Sequence, residues 1–154
     1  MQPTNAVRLR GLSPDDYPYV IARLDDWWDG RAMSGLLPRL FVDHFHNTSF
    51  VAVDGNDETV GFLVGFLSPA DPTAAYVHFI GVDPRLRGQG VGRRLHHEFA
   101  QLAAADGRTR IMAVTSPENL DSITFHTGLG FSARLDPEHD GPGRDLVVLE
   151  RSLT

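Results

Sequence analysis

Midway along the chain an apolar run, Ala75 to Val82, leads into Asp83-Pro84-Arg85-Leu86-Arg87-Gly88-Gln89-Gly90-Val91-Gly92. From there to about Ala105 the apolar side chains fall at Val91, Leu95, Phe99 and Leu102. A short apolar run bounded by turn residues reads as a buried strand, and spacings of four, four and three read as an amphipathic helix. Gly107 supplies the helix stop. The junction is therefore strand, glycine loop, helix, which requires a sheet with a helix packed on it. Glycines at alternate positions leave backbone N–H groups without side-chain cover. The first turn of a helix adds unpaired donors and a partial positive charge, so such a loop can cradle a phosphate. A plain turn that only caps the helix is the alternative reading. Two other phosphate-binding patterns are not matched. A P-loop needs Gly-Lys-Ser/Thr, whereas Gly92 precedes Arg93 and Arg94. A dinucleotide fingerprint needs Gly-x-Gly-x-x-Gly, and counting from Gly88 puts Arg93 at the third glycine position.

Patterning elsewhere gives the order β-α-α-β-β-β-α-β-α-β-β. Val7 to Leu12 alternates like a half-buried strand. Ser13-Pro14-Asp15-Asp16 opens a helix to about Leu24, and Asp25 to Arg31 reads as a loop. Leu37 to His46 is helical. Phe50 to Val53, Thr59 to Leu67 and Ala75 to Val82 form consecutive strands, the first two joined by an Asp54–Asp57 turn. Arg110 to Thr115 is a further strand, Ser116-Pro117-Glu118 starts a helix ending before Gly130, and strands near Phe131–Leu135 and Leu146–Arg151 bracket a polar loop. Consecutive strands favour an antiparallel meander and strand–helix–strand favours parallel pairing. The expected fold class is α/β: one α+β domain over residues 1–154, with a mixed twisted sheet flanked by about four helices.

The 154 residues carry a net charge of −6, and all 14 basic side chains are Arg. Without Lys there is no Schiff-base chemistry, and without Cys no disulfide, thiolate metal site or Cys nucleophile. Net negative charge does not suit nucleic acid. Arg85, Arg87, Arg93 and Arg94 nevertheless form a local basic knot, which suggests a site for a small polyanion. No apolar stretch reaches the length of a membrane span, and Met1–Arg10 has no secretory h-region, so a cytoplasmic protein is expected. His44 and His46 lie about 200° apart on a helix. His96 and His97 are expected on the solvent side of the helix that follows the glycine loop, and no metal is expected.

Arg87-x-x-Gly90-x-Gly92, preceded by Val82-Asp83-Pro84, resembles the acetyl-CoA signature of the GCN5-related N-acetyltransferases. Asn119, Ser122, Phe125 and Leu129-Gly130-Phe131 resemble the same family's late Asn-x-x-Ala/Ser-x-x-Phe-Tyr-x-x-x-Gly-Phe pattern. The element order agrees from Val7 to Arg151. The resemblance implies the acyl-CoA N-acyltransferase fold and direct transfer of acetyl from acetyl-CoA to an amine. It places the pantetheine arm and acetyl carbonyl on backbone groups of Ile80, Gly81 and Val82, with Gly81 at a bulge. It places the pyrophosphate on the N–H groups of Arg87, Gly88, Gln89, Gly90, Val91 and Gly92. Asn119 would bond the pantetheine and Phe125 would pack near it. A homodimer through the late strands follows from the same analogy.

Direct transfer needs a neutral amine, a donor for the developing oxyanion and a proton for the departing thiolate. The family's usual donor is the Tyr that follows Phe, and His126 stands there. It could donate as imidazolium or only pack. Alternation puts Tyr76 and His78 on one strand face, with His78 either the base, directly or through water, or a buried structural histidine. Asp26, Trp27, Trp28 and Asp29 could receive a cationic amine, or the indoles could plug the core. The polar loop from Asp136 to Asp145 could act as a lid. The leading expectation is an acetyl-CoA-dependent N-acetyltransferase of a small-molecule primary amine. A protein or peptide N-acetyltransferase and a non-catalytic CoA-binding sensor are the alternatives.

Overall fold

The computed structural model describes residues 6–28 and 33–153. In chain order the elements are β1 (Arg8–Gly11), α1 (Tyr17–Trp27), α2 (Arg39–Phe45), β2 (Phe50–Val53), β3 (Thr59–Leu67), β4 (Ala74–Val82), α3 (Val91–Ala105), β5 (Arg110–Thr115), α4 (Leu120–Gly128), β6 (Ser132–Asp136) and β7 (Leu146–Ser152). The seven strands are hydrogen-bonded in the order β1-β2-β3-β4-β5-β7-β6, with β4–β5 parallel and the β1–β2, β2–β3, β5–β7 and β6–β7 pairs antiparallel. The mixed α/β sheet expected from the sequence is therefore observed, with four α-helices among the described residues. No helix among them is long and apolar enough to cross a membrane. The chain divides into two compact units, Met1–Phe66 with Phe79–Leu102 and Leu67–His78 with Ala103–Thr154.

In the first unit α1 buries Val20, Leu24 and Trp27, one face at helical spacing, against Val51, Val53, Phe62, Val64 and Phe79. Gly61 lies on the other face of β3. A Cβ there would come within 3.2 Å of Val91 Cγ1 and 3.4 Å of Leu95 Cδ1, so its lack of a side chain lets α3 sit close on the strand. The start of α1 is fixed by Asp16, whose carboxylate accepts from Ser13 N at 2.8 Å and from both Arg10 guanidinium nitrogens at 2.8 and 2.9 Å. Burial pushes the Asp16 carboxyl up, but the Arg10 and Ser13 hydrogen bonds outweigh it and hold the group below the usual carboxylate range.

In the second unit Arg108 Nη1 donates to the carbonyls of Ser68, Asp71 and Ala74 at 2.8, 2.9 and 3.1 Å, pinning the turn before β4. Arg110 bridges Asp71 and Glu150. The Thr73 hydroxyl and amide, then Arg110, pull Asp71 down to about 2.

Two helix boundaries and one buried side chain depart from expectation. Helix α1 runs on through Asp25, Asp26 and Trp27, because Trp27 continues the buried stripe of Val20 and Leu24. Helix α4 starts after Asn119, whose side chain accepts from Ser122 N at 3.2 Å, rather than at Ser116. His96, expected in solvent, is 1% exposed, because α3 buries a stripe wide enough to include it beside Leu95 and Phe99.

Candidate functional site

The loop between β4 and α3 is set by Asp83 at the strand's end. Its amide donates to Val60 O at 2.8 Å, and its carboxylate accepts from Arg85 N at 3.0 Å and from the Arg85 guanidinium at 2.7 to 3.3 Å. The Arg85 hydrogen bond, opposed by partial burial, keeps Asp83 below the usual carboxylate range. Arg87 Nη2 donates to Trp27 O at 3.0 Å, fastening the loop to the end of α1. The basic knot therefore does not act as one group: Arg85 and Arg87 hold the loop in shape.

Gly88 and Gly90 have φ of 77° and 88°, and nothing lies within 4 Å of where a Cβ would stand on either. Left-handed backbone explains the glycines, and the open space leaves a bare backbone face for a ligand. Arg94 N donates to Gly90 O at 3.0 Å and closes the first helical turn, so the Val91, Gly92 and Arg93 amides head the helix. The amides of Arg87 and Gln89 already donate to Pro84 O and Leu86 O at 3.4 and 3.3 Å. The expected donor row from Arg87 to Gly92 thus narrows to Gly88, Gly90, Val91 and Gly92. Exposed glycine amides with no side chain above them, running into a helix start, fit a pyrophosphate.

Upstream on β4, the missing side chain of Gly81 makes room for close packing. A Cβ there would lie 2.8 Å from Phe62 Cε1 and 3.0 Å from the Trp28 ring. Trp27, 6% exposed, stacks on Phe62 with centroids 6.0 Å apart, and Trp28 meets Phe79 edge-on at 5.3 Å. The two indoles are core, and a buried Trp27 ring is closed to an acceptor. Asp26 is exposed, and Asp29 lies outside the described residues. Ile80 and Val82 are half-buried. The sequence reading missed Asp25, whose Oδ1 accepts from Met33 N and Ser34 N at 2.8 and 3.0 Å. A lone carboxylate at a helix end carried no signal for that bond.

In the second unit, Tyr76 and His78 are half-buried and alternate with buried Ala75 and Val77, so they share a face of β4. Burial, then the Asp140 charge, raises the Tyr76 phenol, which keeps its proton at neutral pH. Asp140 sits in the loop after β6, where its amide donates to Arg144 O at 3.1 Å. The loop is ordered further by Glu138 N donating to Asp145 Oδ1 and by His139 against Asp136.

His126 is 4% exposed and packs edge-on to Phe125 and Phe131 at 5.1 and 5.2 Å. Its Nδ1 lies 2.7 Å from Ser122 O, so Nδ1 carries the proton and donates to that carbonyl. Burial lowers its pKa, outweighing the Ser122 hydrogen bond, and the ring is neutral at pH 7. A neutral ring with its proton on Nδ1 has none at Nε2, which fits the packing alternative for His126. Asn119 Oδ1 is engaged in capping α4, which leaves its amide nitrogen as the donor for a ligand. Phe125 is half-buried. No group of three His, Cys, Asp or Glu side chains able to hold a metal occurs among the described residues.

Comparison with known proteins adds three findings. Residues 12–131 match the sequence model described as the acetyltransferase (GNAT) family. An L-2,4-diaminobutyric acid acetyltransferase of Nocardia farcinica is 36% identical over 87 residues, which cover 56% of this chain and 44% of that protein. The chain spans about half the length of the curated relatives it matches. Among solved structures, a GNAT-family protein of Desulfovibrio desulfuricans is similar with a TM-score of 0.83 at 21% identity, covering 97% of this chain and 100% of that one. The protein yncA of Salmonella typhimurium, solved with its cofactor acetyl-CoA, is similar with a TM-score of 0.73 at 18% identity, covering 97% and 95%. At these identities the two structures speak to the fold.

Proposed function

The chain belongs to the acetyltransferase (GNAT) family, and from that premise we propose that it is a single cytoplasmic domain transferring acetyl from acetyl-CoA to a primary amine of a small molecule. The observation that carries the reading is the loop itself: Gly88 and Gly90 in left-handed conformation, bare on their open side, leading directly into α3. Bound there, acetyl-CoA supplies an activated acyl thioester. The amides of Gly88, Gly90, Val91 and Gly92 hold its pyrophosphate, and the backbone of Ile80, Gly81 and Val82 takes the pantetheine arm.

The remaining roles rest on local geometry together with the family pattern. Asn119 donates to the pantetheine arm, and Phe125 packs beside it. His78, half-buried on the same face of β4 as Tyr76, takes the proton of the incoming ammonium, directly or through water. Tyr76 keeps its hydroxyl proton at neutral pH and serves as a hydrogen-bond donor on the same strand face. His126 positions α4 by its bond to Ser122 O and by its aromatic contacts, and transfers no proton. A small-molecule acceptor is supported by the name of the Nocardia farcinica relative, which makes L-2,4-diaminobutyrate the first amine to try.

The test is amine-dependent release of CoA thiol from acetyl-CoA, with diamino acids, monoamines and peptides bearing a free N-terminus as acceptors. Turnover with a small amine supports the proposal, and turnover confined to peptides assigns a protein acceptor. A neutral His126 and the lack of a carboxylate on β4 favour one further reading, a CoA-binding module without catalysis. That reading requires acetyl-CoA binding with no thiol release for any amine.

A further inference from the structure

Loop geometry accounts for Arg85 and Arg87 and leaves the other half of the basic knot unexplained. Arg93 and Arg94 open helix α3, and one turn later follow His97 and Glu98. Positions i, i+1, i+4 and i+5 form one stripe along a helix. This stripe walls a groove of about 730 Å³ within the first unit, and the opposite side is β1 with the preceding Val7. The register shows which face of the strand is involved. Leu9 pairs with Ala52, Ala52 pairs with Gly61, and Gly61 lies under Val91 and Leu95 of α3. Leu9 therefore points to the α3 side, and Val7, two residues earlier, shares that face. Arg8 also lines the groove, and its guanidinium is paired with Asp57 at 2.7 Å. The groove thus has an apolar floor, Val7 and half-buried Leu9, and a cationic wall.

In a chain of net charge −6 this stripe is locally positive: two exposed arginines against one half-buried glutamate. Arg93 makes no ion pair with any described residue. The guanidinium group of Arg93 suits the oxygens of a phosphate or carboxylate. An apolar floor beneath it suits a carbon body attached to that headgroup. We infer that the groove between β1 and α3 is a second binding site, separate from the cofactor loop, for a small organic anion with an acidic headgroup on an apolar body.

Phenyl phosphate is the probe, titrated by calorimetry into the full chain saturated with CoA so that the loop is occupied. The expected result is saturable one-to-one binding. Inorganic phosphate, which has the headgroup without the ring, binds at least about tenfold more weakly. Arg93→Gln weakens phenyl phosphate by about tenfold or more, the loss typical of a charge-assisted hydrogen bond. Its thermal midpoint stays unchanged, because Arg93 is exposed. Leu9→Asn weakens phenyl phosphate while sparing inorganic phosphate. Absence of saturable binding in the CoA-saturated protein overturns the inference, as does equal affinity for the two phosphates or undiminished binding in Arg93→Gln. A comparison of CoA with 3′-dephospho-CoA guards against misassignment. If Arg93→Gln abolishes a preference for CoA, the groove holds the cofactor's own phosphate and there is no second site.

Discussion

At the residue scale, His126 ties pH to stability. Burial holds the folded ring below the ordinary imidazole value, so near pH 6.5 the unfolded chain takes up a proton that the folded ring refuses. Stability contributed by the neutral ring is complete above the unfolded value and lost as pH falls through the window beneath it. The urea midpoint of the native chain should therefore drop more between pH 7.5 and 5.5 than that of His126→Phe, and equal drops would contradict the buried neutral ring. Turnover separates positioning from proton transfer. Loss of a general acid costs about 10²–10⁴-fold, whereas a positioning role predicts less than about tenfold in His126→Phe, with an unchanged pH profile. Gly81 gives a second residue-scale expectation. A methyl group 2.8 Å from Phe62 overpacks the aromatic cluster, so Gly81→Ala should lower stability by about 1–3 kcal/mol. Phe62→Leu in the same chain should recover part of the loss, since contacting residues couple. Additive losses in the double variant would refute the assigned contact.

At the element scale, α3 and its loop were legible because every local signal agreed: an apolar strand, alternating glycines, helical spacing from Val91 and a stop at Gly107. Strands β2, β3 and β5 were read to their ends for a related reason, since turn residues bound each of them. Helix α1 was cut short because two acids and two indoles conceal the period, although Val20, Leu24 and Trp27 stand at i, i+4 and i+7. Its capping carboxylate offers a test. Asp16 accepts the Ser13 amide and a bidentate Arg10, so Asp16→Ala should cost about 1–2 kcal/mol, read from the thermal midpoint. No change would mean that the cap leaves α1 unaffected. The start of α4 was misplaced because Ser116-Pro117-Glu118 and Asn119 both carry helix-start chemistry, and only hydrogen bonding shows that Asn119 Oδ1 accepts from Ser122 N. The candidate site was legible as a loop and less so as chemistry. Glycine spacing marks where a phosphate can sit, but no pattern reveals that His126 donates to Ser122 O or that Trp27 is buried.

At the scale of the whole molecule, the family assignment and the mixed sheet belong to an acidic chain without Cys or Lys, whose proposed phosphate site rests on backbone amides. Such a site is vulnerable where its backbone is special. Gly90→Glu puts a side chain on left-handed backbone at an exposed loop and an anion where the pyrophosphate should lie. It should abolish acetyl-CoA binding, while backbone strain of about 1–3 kcal/mol leaves the chain folded. Retained affinity would move the pyrophosphate elsewhere. The most direct test of the account is thermal unfolding of the native chain with acetyl-CoA, CoA, ATP or NAD present. A ligand that binds only the folded state at 100 times its dissociation constant stabilises it by about 2.7 kcal/mol. The account predicts a clear upward shift with acetyl-CoA and CoA and none with NAD or ATP; no shift with either CoA species would reduce the glycine loop to a helix cap and contradict the proposed acetyl transfer.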